Sequence, residues 1–86
     1  MRTFLLNISS PDGKIFFDQA ACISLRGVEG EFAIMADHVP FITNVKPGKC
    51  DITLADGTVK SGKTEGGMIT VGKEEVTFLT AGVTFE

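Results

Sequence analysis

The reactive inventory of this sequence is one histidine, two cysteines and a scatter of carboxylates. Hydrolysis through a nucleophile needs a Ser or Cys within reach of a histidine that a third group orients. His38 is the sole candidate base, and no serine sits in a G-x-S-x-G elbow or its equivalent. Glu29 and Glu31 flank Gly30, and Glu74 adjoins Glu75, so paired carboxylates are present for acid–base work. Carboxylates are mostly exposed, however, and both pairs read as solvated turn charges. Cys22 and Cys50 lie far apart, outside any C-x-x-C pair, and one histidine does not complete a four-ligand zinc site with them. Both are expected to be reduced and mostly buried. Asp12-Gly13 and Asp56-Gly57 lack the alternating oxygen ligands of a calcium loop, and no helix follows Gly62–Gly67 to make a phosphate cradle. No catalytic, metal or cofactor site is expected.

One segment remains. Glu29 to Phe41 combines two carboxylates, a strand-like stretch, and Asp37-His38-Val39-Pro40, a loop stiffened by proline. Loops on a rigid scaffold commonly carry function. Residue types alone favour an ordinary surface loop with a solvent-facing histidine over a recognition loop.

The elements that must position this loop show the period of two that belongs to strands. Phe4, Leu6 and Ile8 alternate with Leu5, Asn7 and Ser9, and Ser10-Pro11-Asp12-Gly13 is a tight turn. A second strand begins at Ile15–Phe17 and continues through Ala21, Ile23 and Leu25. Gly27–Gly30 turns the chain into Phe32 and Ile34. Ile42–Val45 forms a short strand closed by Lys46-Pro47-Gly48, and Cys50, Ile52 and Leu54 lead to a hairpin at Asp56-Gly57. Thr58–Thr64 is polar and contains Gly62, so an edge or largely exposed strand is expected. Met68–Val71 and Val76–Leu79 form a last hairpin, with Val83 and Phe85 as a short terminal strand. Ten glycines and the absence of a sustained helical period exclude a helical domain. The pattern predicts one all-β domain over residues 1–86, a small antiparallel β-sandwich or flattened barrel of about eight to ten short strands.

A chain of 86 residues suffices for one domain and buries only roughly 60–65% of its unfolded surface. Apolar residues make up 43%, and with no Trp or Tyr the seven Phe must fill much of the core. A net charge of −3, a pI near 5.0 and dispersed Lys and Arg exclude nucleic acid as a partner. No apolar run approaches the roughly 18 residues of a membrane span, and Asn7 and Ser9 interrupt the apolar N-terminal stretch before it could serve as a signal peptide. A soluble, cytoplasmic chain is expected, held at a membrane only through partners.

Gly30-Glu31-Phe32, Ile34, His38, Pro40 and Phe41 resemble the pattern G-E-[FL]-G-[IV]-x-x-x-H-A-P of the ATP synthase epsilon subunit family. Other parts fall into the same register: Thr3–Leu6 with Ser10–Gly13, Lys46-Pro47-Gly48, Ala55-Asp56-Gly57, Gly66-Gly67 and Val76–Leu79. The resemblance covers essentially the whole chain, and several spaced motifs in order are more specific than any one. Ala33 departs from the usual Gly, Val39 from Ala, Ala36-Asp37 from Pro-Gly, and Glu65 from Ser. Most of the family carries a C-terminal helical pair beyond the sandwich, associated with inhibition of ATP hydrolysis and, in some members, with ATP binding. The sequence ends at Glu86, so the resemblance implies neither property.

It does imply a non-catalytic subunit of the central stalk, peripheral on the cytoplasmic face of the inner membrane. There the sandwich would link the gamma subunit to the membrane-embedded c-ring and couple ring rotation to nucleotide chemistry elsewhere. The implied ring contact is Glu29, Glu31, Asp37, His38, Val39 and Pro40, with His38 as a docking donor. Thr43, Lys46 and Met68 are the implied gamma-side residues, on a broader and more apolar surface. Isolated, such a face favours a homodimer. Two other readings stay open. A stand-alone β-sandwich binding a ligand, sugar or protein requires a concave pocket with convergent polar groups and aromatic walls. An enzyme is poorly served by one histidine and no metal cluster.

Overall fold

The computed structural model describes residues 2–86, in which nine strands follow one another without a helix: β1 (Phe4–Ser10), β2 (Gly13–Gly27), β3 (Gly30–Met35), β4 (Phe41–Val45), β5 (Gly48–Leu54), β6 (Val59–Thr64), β7 (Gly67–Val71), β8 (Glu75–Thr80) and β9 (Val83–Phe85). Strand β2 organises them. Its 15 residues would reach about 50 Å if straight, at about 3.3 Å each. The longest dimension of the molecule is 29 Å. The strand therefore bends, and the bend is visible as a register slip against β5 between Ala20 and Cys22. Ala20 and Ala21, consecutive in sequence, are both buried there. Small side chains at this corner let the strand pass from one layer to the other.

The strands pair in the order β4-β7-β8-β1-β2-β5-β6-β9, with β3 also on β2. The first half of β2 pairs with β1 (Phe4 opposite Ala20), and the second half lies between β3 (Ile23 opposite Ile34) and β5 (Ile23 opposite Ile52). One layer is thus β4-β7-β8-β1 with the start of β2, and the other is β3, the end of β2, β5, β6 and β9. Every pairing is antiparallel except β1 with β8, which no short hairpin connects.

Alternation fills the space between the layers. Leu6 and Ile8 from β1, Ile23 and Leu25 from β2, and Ile34, Ile52, Ile69 and Phe78 are all buried. Complete burial of the Phe78 side chain contributes about 1.5–3 kcal/mol. At one end the layers are tied by a polar contact. The Thr80 hydroxyl donates to Gly66 O at 2.6 Å and lies 3.1 Å from the Thr64 hydroxyl, which accepts from the Gly66 N–H. Both threonines are buried, so the network removes the cost of unpaired hydroxyls.

The all-β sandwich and its turns are as the sequence predicts. Strand β6 differs in part. Val59, Lys60 and Lys63 are exposed as expected, but β9 pairs along Gly62–Thr64, so the sheet edge passes to the terminal strand. Both cysteines are free; Cys50 is buried, whereas Cys22 is only half-buried, on the outer side of β2.

Burial, reinforced by the Asp51 charge, raises the Cys50 thiol from 9.0 to about 11. With the folded value above the unfolded one, the protonated thiol's contribution is complete below pH 9.0 and is lost as pH rises to about 11. The stability advantage over Cys50→Ala should shrink by about 2 kcal/mol across that interval, measured by urea unfolding at each pH.

Candidate functional site

Because the sandwich is open, β3 and β4 are both edge strands, and a depression lies in the seam between them. It has a volume of 280 Å³ and is lined by the β2–β3 turn (Gly27–Gly30), Glu31–Ala33, His38, Phe41 and Thr43. The tight turn positions Glu29 and Glu31 on its rim. Gly30 adopts φ +127°, a conformation strained for residues with a Cβ. A Cβ at Gly27 would lie 2.9 Å from the Phe32 ring, so glycine there lets that ring settle against the turn.

Aromatic rings make the inner wall. Phe32 meets Phe41 edge-on, with centroids 6.4 Å apart, and His38 lies 5.0 Å from Phe41. His38 Nδ1 is 2.9 Å from Val39 O, a pure acceptor, so this bond requires the proton on Nδ1. Neutral His38 consequently keeps Nε2 as an acceptor, and that nitrogen donates only in the imidazolium form. The docking-donor chemistry expected from the sequence is therefore confined to the charged ring.

The predicted residues separate into distinct places. Glu29, Glu31 and His38 line the depression; Val39 and Pro40 continue the exposed loop beside it. Neither glutamate has an ion-pair partner among the described residues. Asp37 faces elsewhere: its carboxylate meets Arg2 at 2.9 and 3.1 Å, over a cleft shared with Thr3, Gln19, Lys73 and Glu74. Asp37 also has φ +66°, the only positive value outside glycine among the described residues. It is the third residue of a turn closed by the His38 N–H donating to Met35 O at 3.3 Å, a geometry for which Pro-Gly is the usual central pair. Thr43 lines the acidic depression. Lys46 is exposed beyond β4, its N–H donating to Arg26 O at 2.8 Å.

Met68 belongs to another surface, the outer face of the β4-β7-β8-β1-β2 layer. Register places Ile42, Thr70, Thr77, Asn7 and Phe17 in one cross-strand row. The next row runs Asn44, Met68, Leu79, Ser9 and Lys14. Ile42 is 64% exposed, Leu79 56%, Phe17 50% and Met68 47%, and charge enters these rows only at Lys14. Ile42, Leu79 and Phe17 were not singled out from sequence. The available signal was apolar side chains occupying the outward positions of strands whose inward positions were already apolar.

No group of three or more His, Cys, Asp or Glu is placed to hold a metal ion among the described residues. The depression offers aromatic walls and carboxylate acceptors, with neither Ser nor Cys in its lining, an arrangement suited to a donor-rich surface. No helix among them is long and apolar enough to cross a membrane.

Residues 3–85 match the family model described as ATP synthase, Delta/Epsilon chain, beta-sandwich domain. Over 78 residues the chain is 42% identical to the protein of Acetobacterium woodii named ATP synthase epsilon chain, sodium ion specific; the match spans 91% of this chain and 59% of that one. In fold it resembles a chain in the mitochondrial ATP synthase of Euglena gracilis, OSCP/F1/c-ring in rotational state 1, with TM-score 0.90 and 22% identity over 96% of this chain and 53% of that one. A chain of the Tetrahymena thermophila mitochondrial ATP synthase central stalk/c-ring gives TM-score 0.80 and 11% identity over 96% and 66%.

The fit of Phe32 against Gly27 carries a direct expectation. Gly27→Ala should push the Phe32 ring off the turn and lower stability by about 1–3 kcal/mol. Thermal unfolding and the ring-proton NMR shifts of Phe32 and Phe41 would register the change; native values for both would contradict the close-packing account.

Proposed function

The chain belongs to the ATP synthase delta/epsilon β-sandwich family, and from that premise we propose that it is a non-catalytic central-stalk subunit linking gamma to the membrane c-ring. The observation that carries this reading is that one close-packed body exposes two chemically unlike surfaces side by side. Strand β4 contributes to both, Thr43 to the acidic depression and Ile42 to the apolar outer face.

The acidic depression, with Glu29, Glu31, His38 and the adjoining Val39-Pro40, is the ring-facing surface. Unpaired carboxylates at a rim set approach and register more than affinity, through complementary charge. Asp37 serves this surface from behind the loop. The outer face with Ile42, Met68, Leu79 and Phe17 is the gamma-facing surface: apolar groups separated by small neutral ones can be desolvated cheaply. Thr43 goes with the ring side, and Lys46 lies between the two. Isolated, the apolar face gives a homodimer its surface. The densely packed interior passes strain between the two contacts without absorbing it, as coupling of rotation to ATP synthesis or hydrolysis requires. The whole is one domain, peripheral on the cytoplasmic side of the membrane and attached through its partners.

A stand-alone ligand-binding module is the second reading. A groove of 710 Å³ lies between Ser9–Pro11, Glu65–Gly67 and Leu79–Ala81. It lacks an aromatic wall, which weighs against small-ligand recognition.

Reconstitution with the partner subunits separates the surfaces. Glu29→Lys with Glu31→Lys should weaken ring association about tenfold at low salt, and less at high salt, with gamma binding retained. Met68→Glu with Leu79→Glu should do the reverse. Parental binding to both partners by both double variants, or no ATP synthase subunits recovered with the native chain, would overturn the reading.

A further inference from the structure

The loop that carries His38, Val39 and Pro40 is held by a contact on the opposite side from the depression. Its first turn is Met35–His38, closed by the His38 N–H bond to Met35 O. Asp37 stands at the position that needs positive φ, and a residue with a Cβ adopts that conformation at a cost. Type II turns normally resolve this with glycine or asparagine. Here the Asp37 carboxylate is gripped by Arg2 in a two-point fork, Nη1 to Oδ2 at 2.9 Å and Nη2 to Oδ1 at 3.1 Å. Such a fork fixes orientation as well as distance. Arg2 directly precedes the segment leading into β1, which is anchored in the core by buried Phe4.

We infer that Arg2 and Asp37 form a latch that holds the docking loop in its strained turn, making both residues positioning groups for the surface beside them. The inference rests on the ring-facing role proposed for that loop. Asp37 reaches the partner through the loop it shapes, since its own carboxylate is turned to the first strand. The pair is largely exposed, with side-chain exposures of 80% and 58%, so its effect is modest and falls with salt. Glycine at position 37 would make the latch unnecessary, because glycine adopts positive φ without a steric cost. That dependence separates a latch from a bystander ion pair.

The test follows the exchange rate of the His38 amide hydrogen in the full chain by NMR at low ionic strength. Arg2→Ala should raise the rate about two- to fivefold, and 1 M salt should do the same to the parent. Asp37→Gly should stay within about twofold of the parent, and Arg2→Ala added to it should have no further effect. An unchanged rate in Arg2→Ala, or an equal increase in the Asp37→Gly background, overturns the latch. Ring association is measured on the same variants, and Arg2→Ala should weaken it by no more than the factor seen in the exchange rate, with Asp37→Gly at the parental value. If no variant, parent included, binds the ring, the docking role fails while the exchange cycle still decides the latch.

Discussion

The fold depends on a single strand being too long for a single sheet. Gly13–Gly27 must fold over within a 29 Å body, and the slip at Ala20–Cys22 converts one continuous ladder into two facing layers. The two layers share a backbone, so they cannot slide independently. Their inner faces are brought into register by covalent continuity as well as by packing. The buried Thr64–Thr80 pair ties β6 to β8 at the other end, so the layers are fixed at two separated points.

An open sandwich made this way leaves edges, and the edges make the surfaces. Strands β3 and β4 end their respective layers and face each other across the seam. The turn before β3 and the loop before β4 then supply side chains to one depression. Edge strands are ordinarily a liability for unwanted pairing. Here Glu31 on β3, Glu29 beside it and the strained Asp37 turn put charge and curvature at the vulnerable margin. On β4 the period of two divides neighbours between surfaces of opposite character, Ile42 outward and Thr43 into the seam.

The histidine illustrates how local geometry redefines residue chemistry. A lone exposed imidazole is open to many roles, but the bond to Val39 O assigns its Nδ1 proton and leaves Nε2 as an acceptor in the neutral state. Packing beside Phe41 narrows its orientation further. These constraints leave His38 with one orientation and, in the neutral state, one free acceptor nitrogen, a geometry suited to the recognition contact proposed for its loop.

Strand identity, turn positions and the two-layer class were legible in the sequence, because alternation and turn dipeptides are local and burial enforces them. The motif from Gly30 to Phe41 also marked the family, since its residues are close in sequence. Other features depend on residues that meet only in space. Asp37 is grouped with Glu29, Glu31 and His38 by sequence, yet Arg2, 35 residues away, turns its carboxylate to another side. Ile42, Leu79 and Phe17 are unremarkable singly and become a surface only through cross-strand register on four separate pairings. The short β9 edge on β6 and the parallel β1–β8 pairing are likewise long-range choices. The sequence by itself determined where the chain extends and where it turns, because those are decided residue by residue. Which strands became neighbours, and so which side chains share a surface, was decided by the tertiary structure, through the bend in β2 and the burial it makes possible.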